Sequence, residues 1–189
     1  MRIIAGKYKS RRINTPAGAV HNTKDQDKSI RPTSDRARDS LFNILFNLID
    51  FDEVVCLDLF AGTGALGFEC ISRGAMHCSF VDISRSAEIL IKKTAEELDC
   101  IDKVSIIKDD SLRYVTVNEK YYDIIFADPP YMYEDYGKLI NTVLNKEFGI
   151  FVVEYGNVNK LDIKSERHEK IDRTIGTTNF RIYISNDNE

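Results

Sequence analysis

A glycine-rich segment is the first part of the sequence that could bind a reactive ligand. Gly62, Gly64 and Gly67 follow the apolar run VVCLDLF (residues 54–60) with the spacing Gly-x-Gly-x-x-Gly. Glycines at this spacing form a tight turn between a strand and a helix, and they let a nucleotide cofactor approach the main chain closely. The pattern is weak alone, because Gly67 could equally serve helix–strand packing.

Asp58 distinguishes between two classes of nucleotide cofactor. A carboxylate near the glycines repels the pyrophosphate of a dinucleotide but attracts the sulfonium and ammonium groups of S-adenosylmethionine. Asp82 ends the second apolar run about 20 residues past the loop, where it can accept hydrogen bonds from ribose hydroxyls. Asp109 and Asp110 follow the third run, where they could contact adenine or cap a helix. We therefore favour S-adenosylmethionine over a dinucleotide.

The sequence DPPY, Asp128-Pro129-Pro130-Tyr131, is the second candidate for chemistry. Two prolines remove two N–H donors, so we expect their carbonyls and the Asp128 carboxylate to form a rigid array of acceptors without a competing donor. Such an array can hold an exocyclic amino group in line with a methyl donor and stabilise the charge that develops on nitrogen. Tyr131 offers a face for a flat base. The alternative is a stiff turn.

The acid at position 128 favours one base. Guanine presents N1–H and N2–H donors side by side, which match a carboxylate that only accepts. Adenine presents its amino group beside an acceptor, which an amide side chain would match better. Asp128 therefore favours the N2 amine of guanine.

The rest of the sequence supplies elements that could position these residues. A helix with an apolar face follows Pro32 and extends to Ile49. Strand-like runs then alternate with helix-like segments, which predicts a parallel sheet covered on both faces. The strand-like runs are 54–60, 77–82, 104–108, 122–127 and 149–155, and the helix-like segments are 65–73, 85–98 and 134–145. Two last runs, 168–175 and 179–185, predict an antiparallel hairpin at one edge. We interpret Glu154 as part of a turn.

The basic residues are concentrated at the N-terminus. The net charge of the chain is −4, but residues 1–38 carry +7 and the remainder −11. This asymmetry is typical of a nucleic-acid contact surface, although a solvated terminus would also explain it. We predict a basic extension over residues 1–32, with a β-hairpin in residues 1–14 and a loop after it, followed by a catalytic domain over residues 33–189.

Several classes of protein are disfavoured. The chain has no run of 18 apolar residues and no secretory signal at its start, so we expect a cytoplasmic protein without a membrane span. The histidines form no ligand-spaced group with the cysteines, and we expect no metal. Nothing requires more than a monomer. Cys56, Cys70, Cys78 and Cys100 lack a C-x-x-C pair, which favours reduced, buried thiols.

These motifs carry a family resemblance. LDLFAGTGALGFE with DPPY resembles the class I S-adenosylmethionine-dependent methyltransferases that modify amino groups, which have a Rossmann-like fold with a mostly parallel seven-stranded sheet. MRIIAGKYKSRRI and IRPTSDRARDSLFNIL narrow the resemblance to the 16S ribosomal RNA (guanine-966-N2) methyltransferase family. Ile175 departs from the pattern, since an aromatic residue is expected before the glycine, and this leaves the role of the last hairpin open.

The resemblance implies methyl transfer from S-adenosyl-L-methionine, with S-adenosyl-L-homocysteine as product. The acceptor would be the N2 amine of one guanine of 16S rRNA in an assembling small ribosomal subunit. The implied cofactor site comprises Asp58, Phe60, Ala61, Gly62, Gly64, Asp82, Ile83 and Asp110. The implied catalytic loop is Asp128, Pro129, Pro130 and Tyr131. The implied RNA-facing residues are Arg2, Lys7, Lys9, Arg11, Arg12, Arg31, Arg36 and Arg38.

Three other functions remain open at this point. The enzyme could methylate an amino group elsewhere, on another base or on a protein glutamine amide. It could be a nicotinamide-dependent oxidoreductase, which Asp58 disfavours. It could also be a non-catalytic RNA-binding assembly factor, in which an intact DPPY sequence would have no task.

Overall fold

The computed structural model describes residues 1–16, 35–130, 132–156, 163 and 165–186. Within these ranges the chain forms seven strands and five α-helices. The strands are β1 (Val55–Leu59), β2 (His77–Asp82), β3 (Val104–Lys108), β4 (Tyr122–Ala127), β5 (Phe148–Tyr155), β6 (His168–Ile175) and β7 (Thr178–Ser185). The helices are α1 (Asp35–Leu45), α2 (Ala65–Arg73), α3 (Arg85–Glu97), α4 (Ser111–Val117) and α5 (Tyr136–Leu144), and a 3-10 turn (Ile101–Lys103) precedes β3.

The strands form one sheet in the order β3-β2-β1-β4-β5-β7-β6. The first five strands pair in parallel, and β7 pairs antiparallel with both β5 and β6. The α/β fold predicted from sequence is therefore confirmed: a mostly parallel seven-stranded sheet with an antiparallel hairpin at one edge. The chain runs outward from β1 through β2 to β3 and then returns to the other side of β1 as β4. The strand order thus reverses between β1 and β4, which is where such sheets bind ligands.

Helices cover both faces of the sheet, and alternate strand residues point to opposite faces. On one face, α1, α2 and α3 bury residues such as Cys56 and Ile124. On the other face, α4 and α5 bury residues such as Leu57 and Ile125. Because both faces are buried, the central strands are largely apolar, which is why they appear in the sequence as nearly continuous apolar runs. No described helix is long and apolar enough to cross a membrane.

Two helices differ from the prediction. The first helix ends at Leu45, and Phe46, which was predicted on its apolar face, is 70% exposed. The helix α4 was absent from the predicted helix-like segments and was expected only in the alternative in which Asp109 or Asp110 caps a helix, because seven residues are too few to show a helical period. Glu154 lies inside β5 and is buried, so the turn predicted there is wrong.

The predicted N-terminal hairpin is not confirmed as a pair of strands. One isolated antiparallel bridge joins Arg2 to Arg12, with a turn between them. The segment is nevertheless packed against the sheet domain, because Ile3, Tyr8 and Ile13 are at most 6% exposed and belong to its core. Most of the loop predicted after it lies outside the described residues.

A buried carboxylate anchors this segment to α2. Glu69 is fully buried and accepts the N–H groups of Ile4 (2.9 Å) and Ala5 (3.0 Å). Its carboxylate also pairs with Arg73 one turn later, at 3.0 Å. These contacts satisfy a charge that would be costly to bury alone. The basic side chains of the first residues therefore project from a segment that is fixed to the domain.

Candidate active site

The carboxyl ends of β1 and β4 bring the two sequence motifs together. The segment after β1 contains the three glycines and is called the glycine loop here (residues 60–67). The segment predicted to be catalytic (residues 128–131), called the catalytic loop here, follows β4. The Asp128 N–H donates a long hydrogen bond of 3.5 Å to the Leu59 carbonyl, which ties the start of one loop to the start of the other. The reversal of strand order thus places both loops at one edge of the sheet.

The glycine loop contains three residues in the left-handed backbone region. Phe60 has φ 59°, Gly62 φ 54° and Gly64 φ 75°. This region is easy for glycine but costs about 1 to 2 kcal/mol for a residue with a side chain. The Ser111 hydroxyl oxygen accepts the N–H of Phe60 at 3.0 Å and helps to hold it there.

The glycines differ in the space around them. A Cβ on Gly62 would meet only the Phe60 carbonyl oxygen, at 3.9 Å, so this part of the loop is open to a ligand. A Cβ on Gly64 would lie 2.9 Å from the Phe80 ring, and one on Gly67 would lie only 2.3 Å from it. Gly67 is therefore needed for the packing of α2 against β2, and Gly62 is the position at which a cofactor can approach the backbone.

Asp58 lies beneath the loop. It is 2% exposed, and its Oδ2 accepts the N–H of Gly67 in the first turn of α2 at 3.0 Å. Burial raises the pKa of Asp58 well above its usual value, and the charges of Asp128 and Asp82 act in the same direction. Asp58 thus supports the turn from below, and its direct contact with a cofactor stays a prediction.

Asp82 links the glycine loop to β2. Its Oδ2 accepts the N–H of Gly62 at 2.8 Å, and its Oδ1 accepts the N–H of Ser84 at 2.8 Å. Ala61 is held by a 3.1 Å hydrogen bond from its N–H to the main chain of β2. A carboxylate has about four acceptor sites, so Asp82 retains capacity for ribose hydroxyls. Ile83 beside it is 70% exposed and offers an apolar surface.

The two acids after β3 order the start of α4. Asp110 is the N-cap residue and accepts the N–H of Arg113 at 2.8 Å. Asp109 accepts a hydrogen bond from Nε of Arg113 at 2.7 Å. The helix-cap interpretation is therefore confirmed for Asp110. Its contact with adenine stays a prediction, and the two roles are compatible because the residue is exposed.

The proline carbonyls of the catalytic loop already accept hydrogen bonds. The Tyr136 hydroxyl donates to the Pro129 carbonyl at 3.1 Å, and the Tyr133 N–H donates to the Pro130 carbonyl at 2.8 Å. The array of acceptors stays a prediction, and each of its two proline carbonyls already accepts one hydrogen bond from the segment that follows. Each carbonyl oxygen keeps a second lone pair, so both can still accept. Tyr131 lies outside the described residues.

An aromatic chain connects the two loops. The Phe60 ring meets the Tyr133 ring edge-on, with centroids 5.1 Å apart, and Tyr133 meets Tyr136 in the same way at 5.7 Å. Burial raises the pKa of Tyr133 to about 12, and nearby Asp110 also raises it. No sequence motif indicates either tyrosine. The only signal was the density of tyrosines after DPPY.

Glu154 is a second acid at the edge of the sheet where the parallel strands end. It is 3% exposed at the end of β5. Because Ala127 pairs with Val153 on the neighbouring strand, Asp128 and Glu154 follow directly on adjacent parallel strands. Residues at equivalent positions of neighbouring strands point to the same face. The sequence alone could not show this, since it depends on the register between β4 and β5.

The basic residues predicted to face RNA divide into two groups. Exposed side chains are found at Arg2, Lys7, Lys9, Arg11, Arg12 and Arg36. Arg38 is fully buried instead, and it donates to the Arg2 carbonyl at 2.6 Å and to Asp35 at 2.9 Å. We correct the prediction for Arg38, which holds α1 against the N-terminal segment and presents no charge to solvent. Arg31 lies outside the described residues.

No group of three or more histidine, cysteine, aspartate or glutamate side chains within the described ranges is arranged to hold a metal ion. The four cysteines, all within those ranges, are buried and free. Burial raises the pKa of Cys70 and of Cys78 well above the usual value for a thiol. These thiols therefore pack as apolar side chains.

The strand order, the glycine loop after β1 and the Asp-Pro-Pro segment after β4 define a class I methyltransferase. A family model described as "Conserved hypothetical protein 95" matches residues 1–184. The chain belongs to this family. Curated proteins that are similar to the chain are named ribosomal RNA small subunit methyltransferase D. The resemblance stated from sequence motifs is thereby confirmed.

Individual relatives match over most of their length. The chain is 34% identical to "Ribosomal RNA small subunit methyltransferase D" of Buchnera aphidicola, over 85% of this chain and 79% of that one. It is 32% identical to "Putative rRNA methyltransferase YlbH" of Bacillus subtilis, over 97% and 98% of the two chains. Among solved structures, "Putative methyltransferase yhhF" of Escherichia coli superposes with a TM-score of 0.80 at 25% identity, covering 98% and 97%.

Proposed function

We propose that this protein transfers a methyl group from S-adenosyl-L-methionine to the exocyclic N2 amine of a guanine in 16S rRNA of the small ribosomal subunit. One observation carries the proposal. The acceptors of Asp128 and Pro129 lie at the end of β4, directly beside the end of β1, from which the open glycine loop emerges. The names of the relatives supply the class of substrate.

The residues around the glycine loop fit an adenosyl cofactor. Gly62 leaves open space where a side chain would be, Asp82 keeps acceptor sites for ribose hydroxyls, and Ile83 exposes an apolar surface suited to an adenine ring. Asp110 would accept from the adenine amino group, and Asp58 would contribute negative charge below a cationic ligand. S-adenosylmethionine, when bound, supplies an electrophilic methyl group on a sulfonium.

The chain's contribution to transfer is to orient the amine. The lone pair of an exocyclic amine is delocalised into the base and is a poor nucleophile, so alignment provides much of the rate. The Asp128 carboxylate and the Pro129 carbonyl would accept its N–H groups and turn the lone pair toward the methyl group. As the N–C bond forms and the S–C bond of the donor breaks, which releases S-adenosyl-L-homocysteine, the same acceptors would stabilise the positive charge on nitrogen. The methylated amine would then lose one of its two protons to water. Asp128 further favours guanine, whose N1–H lies beside the amine.

The exposed basic residues would bind the RNA backbone. Arg2, Lys7, Lys9, Arg12 and Arg36 project from the N-terminal segment and α1, and we retain Arg11 and Arg31 in this set. We assign RNA contact to the extension (residues 1–32) and catalysis to residues 33–189. A ribosomal substrate would place the protein in the bacterial cytoplasm, and a monomer would suffice for the reaction.

Methyl labelling tests the proposal. Small-subunit particles from cells that lack this protein would be incubated with the protein and labelled S-adenosylmethionine, and the RNA digested to nucleosides. Label in N2-methylguanosine is the expected result. Label in another nucleoside would overturn the guanine assignment, and label in protein would indicate an amide substrate. Cofactor binding by calorimetry without any transfer would favour an assembly factor, and binding of NAD in its place would favour an oxidoreductase.

A paired charge change tests the RNA surface. Lys7→Ser with Lys9→Ser removes two charges from the N-terminal segment, and Lys92→Ser with Lys93→Ser removes two exposed charges from α3 as a control. Each phosphate contact contributes about 0.7 to 0.9 to the slope of log affinity against log salt. The first pair should lower the slope by about 1 to 2, and the control pair should leave it unchanged. Equal losses for both pairs would contradict the assigned surface.

A further inference from the structure

We infer that Tyr136 is a positioning residue of the active site, because its hydroxyl fixes the direction of the Pro129 carbonyl that would accept the target amine. This inference rests on the proposed function for its chemistry. The contact is observed in the structure whatever the function: the Tyr136 hydroxyl donates to the Pro129 carbonyl oxygen at 3.1 Å, and Tyr136 is 4% exposed.

The catalytic loop needs such a contact because its own backbone cannot supply one. Pro129 and Pro130 have no N–H to donate, so their peptide groups can be fixed by hydrogen bonds only through their carbonyl oxygens. The Tyr133 N–H fixes the Pro130 carbonyl at 2.8 Å. The Asp128 N–H bonds to the Leu59 carbonyl at 3.5 Å, so neither of these main-chain donors holds the Pro129 carbonyl. A donor from another element must therefore set the orientation of the peptide group that follows Pro129. The Tyr136 hydroxyl, on the first residue of α5, is that donor.

The Tyr136 ring is itself held in place. It packs edge-on against Tyr133, and Tyr133 packs edge-on against Phe60 in the glycine loop. Edge-to-face aromatic pairs contribute about 0.5 to 1.5 kcal/mol beyond their buried area. The chain of rings thus connects the loop that would hold the methyl donor to the carbonyl that would hold the methyl acceptor. The distance between the two reactants then depends on this chain.

The hydrogen bond leaves the carbonyl able to bind the amine. A carbonyl oxygen has two lone pairs, of which Tyr136 uses one. With that lone pair occupied, the second has a single direction in which to accept. A misplacement of about 1 Å at a reacting centre can lower the rate about a hundredfold. Loss of the hydroxyl should therefore reduce the rate of transfer, with cofactor affinity unchanged.

Two tyrosine-to-phenylalanine variants provide a matched experiment. Tyr136→Phe removes the hydroxyl from Pro129, and Tyr122→Phe removes a hydroxyl at the opposite end of β4. Tyr122 is equally buried, at 1% exposure, and its hydroxyl bonds to that of Tyr114 at 3.0 Å. Tyr136→Phe loses the hydrogen bond to Pro129, whereas Tyr122→Phe loses, besides the bond to Tyr114, the one that Asn118 Nδ2 donates to its hydroxyl at 3.2 Å, so the control loses two. Each such bond is worth about 1 kcal/mol of stability, so the control is not the milder change. Any difference between them in catalysis is therefore not a general effect of stability.

Single-turnover methyl transfer to small-subunit particles is the first readout. Tyr136→Phe should lower the rate about ten- to a hundredfold, with S-adenosylmethionine affinity and the apparent KM for the particle unchanged. Tyr122→Phe should transfer at the wild-type rate. Equal rates for the two variants would overturn the positioning role.

A spectroscopic readout separates this inference from the proposed function. The chain has four prolines, so labelling their carbonyl carbons with ¹³C gives a simple spectrum. Loss of the Tyr136 hydroxyl should shift the Pro129 carbonyl resonance, and Tyr122→Phe should leave it in place. If Tyr136→Phe shifts the Pro129 resonance but the wild-type protein transfers no methyl group, the contact is confirmed and the proposed reaction is overturned. An unchanged resonance would overturn the inference, whatever the activity of the protein.

Discussion

The glycine loop and the catalytic loop lie side by side, but different interactions hold them. The glycine loop is fixed through its own N–H groups, because Gly62 donates to Asp82 and Gly67 donates to Asp58. The catalytic loop contains two prolines without N–H groups, and the described part of it is fixed through carbonyl oxygens by donors from the segment that follows.

This difference determines which backbone groups of each loop stay free to contact a ligand. A loop held by its donors can present open backbone to a cofactor, as at Gly62. A loop held by its acceptors would have to share those acceptors with the proposed substrate, so its geometry depends on the donor that occupies the other lone pair. We therefore expect mutations in the glycine loop to alter cofactor affinity and folding, and mutations in the catalytic loop to alter the rate of transfer.

The largest expected effect belongs to Asp128. Asp128→Ala removes the carboxylate that would accept the amine, and it should lower the rate of methyl transfer by about a thousandfold. Cofactor affinity and RNA affinity should remain at the wild-type level, because both would be provided by other residues. Single-turnover assays with calorimetry and RNA-binding measurements check this. A parallel loss of cofactor affinity would show that the two loops are not separable, and retained activity would overturn the role of Asp128.

Two glycine substitutions sharpen the comparison within the glycine loop. A Cβ on Gly67 would lie 2.3 Å from Phe80 and 2.6 Å from the Cys78 sulfur, both buried. Overpacking of this kind costs about 1 to 3 kcal/mol, so Gly67→Ala should destabilise the fold even though alanine favours helix. Gly62→Ala meets open space and should lose about 1 kcal/mol through its left-handed backbone. It should mainly weaken cofactor binding.

Urea unfolding of both variants, with cofactor titrations, checks this pair. The expected order is a larger loss of unfolding free energy for Gly67→Ala and a larger loss of affinity for Gly62→Ala. The reverse order would mean that the open side of the loop is not the face that binds the cofactor.

Asp58→Asn tests the acid beneath the loop. The pKa of Asp58 is raised by burial in the folded state, so its contribution to stability is complete below the ordinary carboxyl pKa and is lost as pH rises toward the folded value. Asparagine can still accept the Gly67 N–H and carries no charge. At neutral pH the variant should be more stable than the wild type by about 1 kcal/mol, with no difference near pH 3.

Unfolding curves at several pH values measure that difference, and a cofactor titration measures the predicted electrostatic role. Affinity for S-adenosylmethionine should fall if the Asp58 charge attracts the cationic ligand. A variant that is less stable at neutral pH than at pH 3, relative to the wild type, would contradict the burial of a costly charge.

Much of the fold could be predicted because its signals are local. Each parallel strand is a largely apolar run, since both faces of the sheet are covered, and the motif at Gly62 identifies the turn after β1. The burial of Arg38 could not be predicted, because it depends on where α1 packs against the N-terminal segment. The position of Glu154 beside Asp128 likewise depends on strand register.

The contact of Tyr136 with Pro129 also could not be predicted from the sequence. Their spacing of seven residues has no meaning until the start of α5 is known. The competing donors at the proline carbonyls were missed for a related reason. The absence of N–H groups within the prolines says nothing about donors that arrive from elsewhere. Motifs therefore identified the groups that could act, and packing decided how those groups are held.

The smallest expected effect is at Asp110, where the two predicted roles can be separated. Asparagine is as good an N-cap residue as aspartate, so Asp110→Asn should change the unfolding free energy by less than about 0.5 kcal/mol. Asp110→Ala removes the acceptor for the Arg113 N–H and should cost about 1 kcal/mol. If Asp110 also accepts from adenine, alanine should weaken cofactor binding, and asparagine, which keeps one acceptor oxygen, should weaken it less.

Calorimetry with S-adenosylhomocysteine, compared with methylthioadenosine and with homocysteine, locates any loss of affinity. A contact with adenine lowers the affinity for both adenosine-containing ligands and leaves homocysteine unaffected. If Asp110→Ala lowers stability and leaves all three affinities at the wild-type level, Asp110 only caps α4. The cofactor would then be bound by the glycine loop, Asp82 and Ile83 without a contact from α4. Cofactor binding would depend on the loop that is held by its own N–H groups, and methyl transfer on the loop that is held through its carbonyl oxygens.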